Sequence, residues 1–154
     1  ARDRAKQVPH RGYYLDLLKL YDYIQKKDYQ YPSTPSLSHM FALDYQLDQI
    51  LNVEGLENRF ARHKEMAKIV RAWAKKNFAL YSDENHLSNT VTNIANTRNI
   101  DVAALNKELG ERGFQISNGY GTLKNKTFRI AHMADCQVEE IKELLKNIDE
   151  ILGL

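Results

Sequence analysis

The residues from about position 54 onward alternate between two hydrophobic periods, and this alternation constrains the fold more than any single motif. Segments with apolar residues three or four positions apart alternate along the chain with short β-branched or aromatic runs. The clearest helical segment is 138–152, where one apolar stripe lies opposite a charged face. The order helix, strand, strand, helix, strand, strand, helix predicts an α/β (α+β) fold. We expect a short, mostly antiparallel sheet with helices packed on one face.

Residues 1–53 have a different character. The polar, basic segment 1–12 is typical of the exit from an upstream element, and the aromatic-rich run 13–24 fits a strand or a short helix. Residues 28–35 contain two prolines and are predicted to be irregular. Ser36 is then expected to cap a helix that runs to about Val53. The apolar residues that share one stripe of this helix are Met40, Leu43, Leu47, Ile50 and Leu51.

Gly55 separates this helix from a second one, whose predicted solvent face carries Arg59, Arg62, Lys64 and Lys68. The break at Gly55 predicts a domain boundary, with residues 1–53 as the tail of one domain and residues 54–154 as another.

Composition excludes several functional classes. The chain has 154 residues and a net charge of +2 without a basic block, so nucleic acid is not an expected partner. Cys136 is the only cysteine, which excludes an internal disulfide and a multi-cysteine metal site. The five histidines lack a two-ligand spacing, and no apolar run has the length of a membrane span. We therefore expect a soluble, cytoplasmic chain without a metal site or a membrane partner.

One possible nucleophile is Cys136, at the start of the last predicted helix and close in sequence to His132 and Asp135. A helix N-terminus can lower the pKa of a thiol. Residues of these types are common in helix caps, and no oxyanion-hole motif accompanies them, so a structural role is favoured. No catalytic residue is assigned.

Three features indicate binding rather than catalysis. In the predicted strand 127–133, Arg129 should face away from Phe128 and Ile130, where its guanidinium suits a carboxylate or a phosphate. Tyr31 and Thr34 offer hydroxyl groups just before a helix N-terminus, which suits a phosphate. The turn NGYG at 118–121 permits close backbone approach. Each feature alone also fits an ordinary surface, helix entry or turn.

Six segments occur in the order seen in the class V pyridoxal-phosphate aminotransferases, and the chain resembles their alanine/serine–glyoxylate group most. The matching segments are RGYYLDLLKL, YPSTPSLSHMFALDYQLDQI, GLENRFARH, TVTNI, ISNGYG and TFRIAHMAD. The resemblance covers about residues 11–152. It implies a fold type I enzyme, a homodimer, with residues 1–53 as the end of the large cofactor-binding domain and 54–154 as the small C-terminal domain.

The resemblance also assigns roles by motif position. Arg129 of TFRIAHM would bind the substrate α-carboxylate, and Tyr31 and Thr34 of YPST would reach the phosphate of pyridoxal 5'-phosphate in the neighbouring subunit. The NGYG turn would position the strand of Arg129. Ala134 stands where family members often carry glycine.

No residue of this chain matches the family's cofactor-binding lysine, so the resemblance implies that the chain alone is inactive. The implied reaction moves an amino group between an amino acid of serine, alanine or aspartate type and a 2-oxo acid such as glyoxylate. Two alternatives stay open: a phosphoserine aminotransferase of the same class, and a non-catalytic carboxylate-binding α/β domain. A cysteine desulfurase is disfavoured because Cys136 follows the FRIAHM strand rather than preceding it.

Overall fold

The computed structural model describes residues 1–26 and 31–154. The chain forms two compact units, Ala1–Gln49 and Ile50–Leu154. The predicted assignment of residues 1–53 and 54–154 to parts of a larger enzyme remains a prediction. Among the described residues, no helix is both long enough and apolar enough to cross a membrane.

In its described part, the first unit contains the helices α1 (Arg2–Lys6), α2 (Leu17–Lys26) and α3 (Leu37–Asp48). The helical alternative for the aromatic-rich run is thus correct over α2, and the strand alternative is wrong. Part of the predicted irregular segment, residues 28–30, lies outside the described residues, while residues 31–35 form neither helix nor strand, as expected.

The helix predicted between Ser36 and Val53 is present as α3 followed by a π-helical turn, Gln49–Glu54. Ser36 occupies the N-cap position, but its hydroxyl is 2.7 Å from His39 Nδ1 and forms no capping bond. The predicted apolar stripe is largely uncovered, because α3 has no buried residue. Four of its members, Met40, Leu43, Leu47 and Leu51, are 43–58 % exposed.

The second unit is built on a four-stranded antiparallel sheet with the order β1-β2-β4-β3. The strands are β1 (Ala79–Leu80), β2 (Val91–Ala95), β3 (Ser117–Asn118) and β4 (Thr127–Ala131). The predicted fold class is confirmed. The strand expected at 114–117 begins only at Ser117.

Helices α4 (Leu56–Asn77), α5 (Val102–Glu111) and α6 (Val138–Leu152) supply the other half of the core. From the sheet, Ile94, Phe128 and Ile130 are buried among them. Most residues that alternate with these on β2 and β4 are only partly buried or exposed, because strand side chains alternate between faces, and the buried Thr127 is the exception. One face of the sheet therefore packs against the helices within this unit, and the other face carries Arg129.

Local signals set the helix ends. Asp101 accepts hydrogen bonds from the backbone N–H groups of Ala103 and Ala104 at the start of α5, as its cap-type sequence predicts. Glu140 accepts from the backbone N–H of Gln137 at 2.6 Å at the start of α6. Gly153 ends α6 with a φ of 65°, a conformation that glycine adopts without strain.

One sequence expectation for α4 is wrong. Arg59 and Arg62, predicted to face water, have side chains only 11 % and 12 % exposed. Both lie against the connection between β4 and α6, where carboxylates and carbonyl groups bind their guanidinium groups. The predicted exposure of Lys64 and Lys68 on the same helix is confirmed.

Candidate carboxylate-binding site and family

Arg129 occupies the middle of β4, with β2 on one side and β3 on the other. Phe128 and Ile130 are buried on the helix side, whereas Arg129 is half-buried on the opposite side, as the strand alternation predicts. A central strand holds the residue's backbone on both edges. The base of the side chain is therefore fixed and its guanidinium end is free to meet a ligand.

Two neighbours from the turn before β4 contact the guanidinium. Its carbon Cζ lies 4.6 Å from the centroid of the Tyr120 ring. One terminal nitrogen, Nη2, donates to the carbonyl oxygen of Asn118 over 3.3 Å. The ring is 78 % exposed, so it forms an outer wall beside the guanidinium.

The turn that carries Tyr120 is held together by Asn118. The side-chain oxygen of Asn118 accepts from the backbone N–H groups of Gly119 (2.7 Å) and Asn125 (2.9 Å). A Cβ atom on Gly119 would lie 2.1 Å from the carbonyl oxygen of Leu123, so only glycine fits there. Gly119 of NGYG thus allows the turn to pack closely on itself. The turn places Tyr120 and the Asn118 carbonyl beside Arg129.

Asn93 completes this face of the sheet and was not singled out from the sequence. It lies opposite Arg129 on β2. Its side-chain oxygen Oδ1 and the Nε of Arg129 are both buried and have no hydrogen-bond partner. One sequence signal could have indicated Asn93: it is a polar residue within the β-branched run TVTNI. The pairing of that run with β4 then makes Arg129 its neighbour.

Tyr31 and Thr34 lie in the first unit, at exposed positions of the irregular segment before α3. Tyr31 is 47 % exposed. Their hydroxyl groups precede a helix of 12 residues, whose first backbone N–H groups carry partial positive charge.

The possible Cys136 nucleophile is not supported by its surroundings. Burial, followed by the charge of Glu140, raises the pKa of the Cys136 thiol, which disfavours the thiolate. His132 is fully buried and both ring nitrogens contact other groups: Nε2 lies 2.9 Å from Thr92 Oγ1 and Nδ1 lies 3.1 Å from the carbonyl oxygen of Asn89. Asp135 binds Arg59 at 3.1 Å. The three residues thus serve separate structural contacts.

Comparisons with known proteins give one consistent family. No family model matches the chain. It is 34 % identical over 140 residues to an uncharacterized aminotransferase of Methanocaldococcus jannaschii, covering 90 % of this chain and 36 % of the relative. It is also 34 % identical over 143 residues to the serine–glyoxylate aminotransferase of Arabidopsis thaliana, covering 89 % of this chain and 34 % of the relative. The relatives that match most of this chain are thus aminotransferases.

The solved structures agree with this assignment. The crystal structure of the ureidoglycine–glyoxylate aminotransferase from Bacillus subtilis superposes with a TM-score of 0.78 at 26 % identity, covering 97 % of this chain and 39 % of that one. The chain spans about a third of the length of the curated relatives it matches.

A second polar cluster anchors the segment that follows β4, the strand of Arg129. Glu54 binds Arg62 at 2.7 Å and Arg59 at 2.8 Å. Arg62 also donates to the carbonyl oxygens of Ala134 and Cys136. Hydrogen bonds from Arg62, the largest contribution, and from Arg59 lower the pKa of the Glu54 carboxyl. The cluster joins the start of α4 to the residues directly after β4.

Proposed function

We propose that this chain is the C-terminal part of a pyridoxal-phosphate-dependent aminotransferase. The reaction transfers an amino group between an amino acid of serine, alanine or aspartate type and a 2-oxo acid such as glyoxylate. The observation that carries this proposal is the guanidinium of Arg129, held at the open face of the sheet beside Tyr120 and Asn118. The name of the Arabidopsis relative, a serine–glyoxylate aminotransferase, supports the choice of substrates.

Arg129 binds the substrate carboxylate in this proposal. Amino donor and 2-oxo acceptor share a carboxylate next to the reacting carbon, so one arginine serves both halves of the reaction. A guanidinium binds a carboxylate through two parallel N–H···O bonds, which fixes orientation as well as position. Orientation matters because transamination needs the reacting carbon to be held against the cofactor.

Pyridoxal 5'-phosphate is the cofactor that this family membership implies, and the segment around Tyr31 and Thr34 fits its phosphate group. Both residues are exposed, and the N-terminus of α3 follows directly, so hydroxyl donors and a favourable helix dipole occur together. When bound, the cofactor supplies an electron sink for the carbon that loses its proton. Tyr31 and Thr34 would hold its phosphate across a homodimer interface, while Arg129 holds the substrate.

The remaining parts of the enzyme follow from the same proposal. Residues 1–53 form the end of the large cofactor-binding domain and residues 54–154 the small domain of a cytoplasmic homodimer. The chain alone is inactive, because no residue in it matches the lysine of the family that binds the cofactor. The chain contributes substrate binding to a reaction whose proton transfers occur elsewhere in the enzyme.

The test is a steady-state assay of the complete gene product that contains this chain, with L-serine, L-alanine, L-aspartate and L-phosphoserine as donors. Arg129→Ala is expected to lower kcat/KM about a hundredfold, which corresponds to two charge-assisted hydrogen bonds lost in the transition state. Arg112→Ala is the matched control, because Arg112 makes only exposed contacts to Asn147 and Glu150.

The donor profile separates the proposed function from its alternatives. Preference for phosphoserine would replace the serine, alanine or aspartate assignment with a phosphoserine aminotransferase. Carboxylate binding at Arg129 without pyridoxal-phosphate absorbance in the complete gene product would instead favour a non-catalytic binding domain.

A further inference from the structure

Asn93 and Arg129 form a cross-strand pair at the closest side-chain approach that an antiparallel sheet offers. The backbone N–H of His132 donates to Thr90 and that of Asn96 donates to Lys126. Hydrogen-bonded pairs between β2 and β4 therefore fall at even-numbered β2 positions, and Asn93 opposite Arg129 is a non-hydrogen-bonded pair. Such pairs have Cα atoms about 4.5 Å apart, against about 5.5 Å in hydrogen-bonded pairs.

Each side chain of this pair has one buried polar atom without a partner. Arg129 Nε is a donor and Asn93 Oδ1 is an acceptor. A buried donor or acceptor that stays unsatisfied destabilises a structure, so two complementary ones on facing residues are an unusual arrangement. The guanidinium lies instead against the Tyr120 ring, and its bond to the Asn118 carbonyl is long, at 3.3 Å.

We propose that Asn93 is a positioning residue for Arg129: when a carboxylate binds the terminal nitrogens of the guanidinium, Arg129 Nε donates to Asn93 Oδ1. This inference rests on the proposed role of Arg129 as the carboxylate ligand. A carboxylate draws Nη2 away from its weak contact with Asn118, and the small rotation needed brings Nε to the oxygen of the facing residue. Two unsatisfied groups are thereby paired only in the bound state.

The pairing also sets how the carboxylate docks. A guanidinium can present either its two terminal nitrogens or one terminal nitrogen together with Nε. Because Nε is buried against the sheet and is taken up by Asn93, only the two terminal nitrogens face the ligand. Asn93 thereby selects one orientation of the bound carboxylate, and with it the direction of the remainder of the substrate.

The experiment follows the Nε–H resonance of Arg129 by NMR in the 154-residue chain during a titration with sodium glyoxylate, at ionic strength matched with sodium chloride. In the wild type we expect the Arg129 Hε signal to move downfield as Nε gains an acceptor. Asn93→Val removes the acceptor and is well tolerated in strands. It should abolish the downfield shift and weaken glyoxylate binding about five- to tenfold.

Two further variants separate positioning from a general effect of the sheet face. Asn93→Asp retains an oxygen acceptor, so Hε should lie downfield even without glyoxylate, but the added negative charge should weaken glyoxylate binding more than tenfold. Ser117→Ala is the matched control, because Ser117 faces Arg129 from β3 in a wider, hydrogen-bonded pair. It should change affinity by less than twofold.

Equal affinity and an equal Hε shift in the wild type and Asn93→Val would overturn the inference and leave the role of Arg129 intact. The absence of any glyoxylate-dependent change at Arg129 would also overturn it. The proposed function would still stand if Arg129→Ala lowers kcat/KM in the complete gene product, and would fail together with the inference if Arg129→Ala has no effect there.

Discussion

The guanidinium carbon of Arg129 lies 4.6 Å from the centroid of the Tyr120 ring. The contact couples a residue in the middle of a central strand to one on the exposed turn Asn118–Gly121, nine positions earlier in the sequence. A cation held over an aromatic face at an exposed site gains about 0.5–1 kcal/mol. Tyr120 therefore limits the positions that the guanidinium can adopt without closing off its terminal nitrogens.

Tyr120→Leu is expected to weaken binding of glyoxylate to the chain about two- to fivefold, because the guanidinium loses its preferred position and must be ordered on binding. Tyr120→Phe keeps the aromatic face and is the matched control, with affinity within twofold of the wild type. Isothermal titration or NMR titration measures both. Equal loss in the two variants would assign the effect to the phenol hydroxyl and not to the ring.

Glu54→Gln tests the cluster that anchors the β4–α6 connection. Glutamine preserves the shape but removes the charge that Arg59 and Arg62 bind within a largely buried site. Hydrogen bonds to charged groups contribute about 1.5–3 kcal/mol each, so we expect the free energy of unfolding to fall by about 2 kcal/mol. Urea denaturation at pH 7 measures the change, and Glu84→Gln, at an exposed ion pair with Lys75, is the control and should change it by less than about 0.5 kcal/mol.

The pKa of Glu54 adds a pH dependence to that prediction. Its folded-state pKa is lowered, so the stabilisation is present above the unfolded-state value near 4.5 and is lost as the pH falls through the folded-state value. The difference between wild type and Glu54→Gln should therefore shrink below about pH 4.5. A difference that persists unchanged at pH 3 would contradict the electrostatic explanation.

The fold of residues 50–154 was predictable because each element has its own local signal. The 3.6-residue stripe of α6, the Asp101 cap of α5 and the alternation around Phe128 and Ile130 each specify one element and its buried face. A strand of two residues, such as β3, has a weaker sequence signal, and the start of β3 was predicted too early.

What sequence reasoning missed depends on contacts between distant residues. The helical period places Arg59 on the solvent face of α4. It is nevertheless buried, because Glu54 and Asp135 bind it, and Asp135 lies 76 positions later in the sequence. Asn93 gains its significance from the register of β2 against β4, which no local pattern encodes. The stripe of α3 was correctly located as apolar, but the helical period alone does not say whether such a stripe is buried.

Ala134→Gly should stabilise the chain. Ala134 has a φ of 58°, in the left-handed region that costs a residue with a Cβ about 1–2 kcal/mol, whereas glycine adopts it freely. Part of this gain is offset because glycine loses more conformational entropy on folding. We expect a net increase of about 0.5–1 kcal/mol in the free energy of unfolding, measured by urea denaturation. Ala72→Gly, at an exposed position within α4, should lower it by about 1 kcal/mol.

His132 provides the last prediction, a loss of stability in mild acid. The carbonyl of Asn89 can only accept, so His132 Nδ1 carries the proton and Nε2 accepts from the Thr92 hydroxyl. Burial lowers the pKa of this imidazole from its ordinary value of 6.5, and protonation would place a second N–H against Thr92 in a buried site. The stabilisation is therefore complete above pH 6.5 and is lost as the pH falls through the folded-state pKa.

The measurement is the free energy of unfolding in urea between pH 7.5 and 5. One proton taken up on unfolding gives a slope of at most about 1.4 kcal/mol per pH unit. His132→Gln retains polar atoms but cannot titrate, so its slope should be smaller than that of the wild type. His86→Gln, which replaces an exposed histidine of the same unit, is the control and should keep the wild-type slope. Parallel pH profiles for the wild type and His132→Gln would show that His132 is not the titrating group.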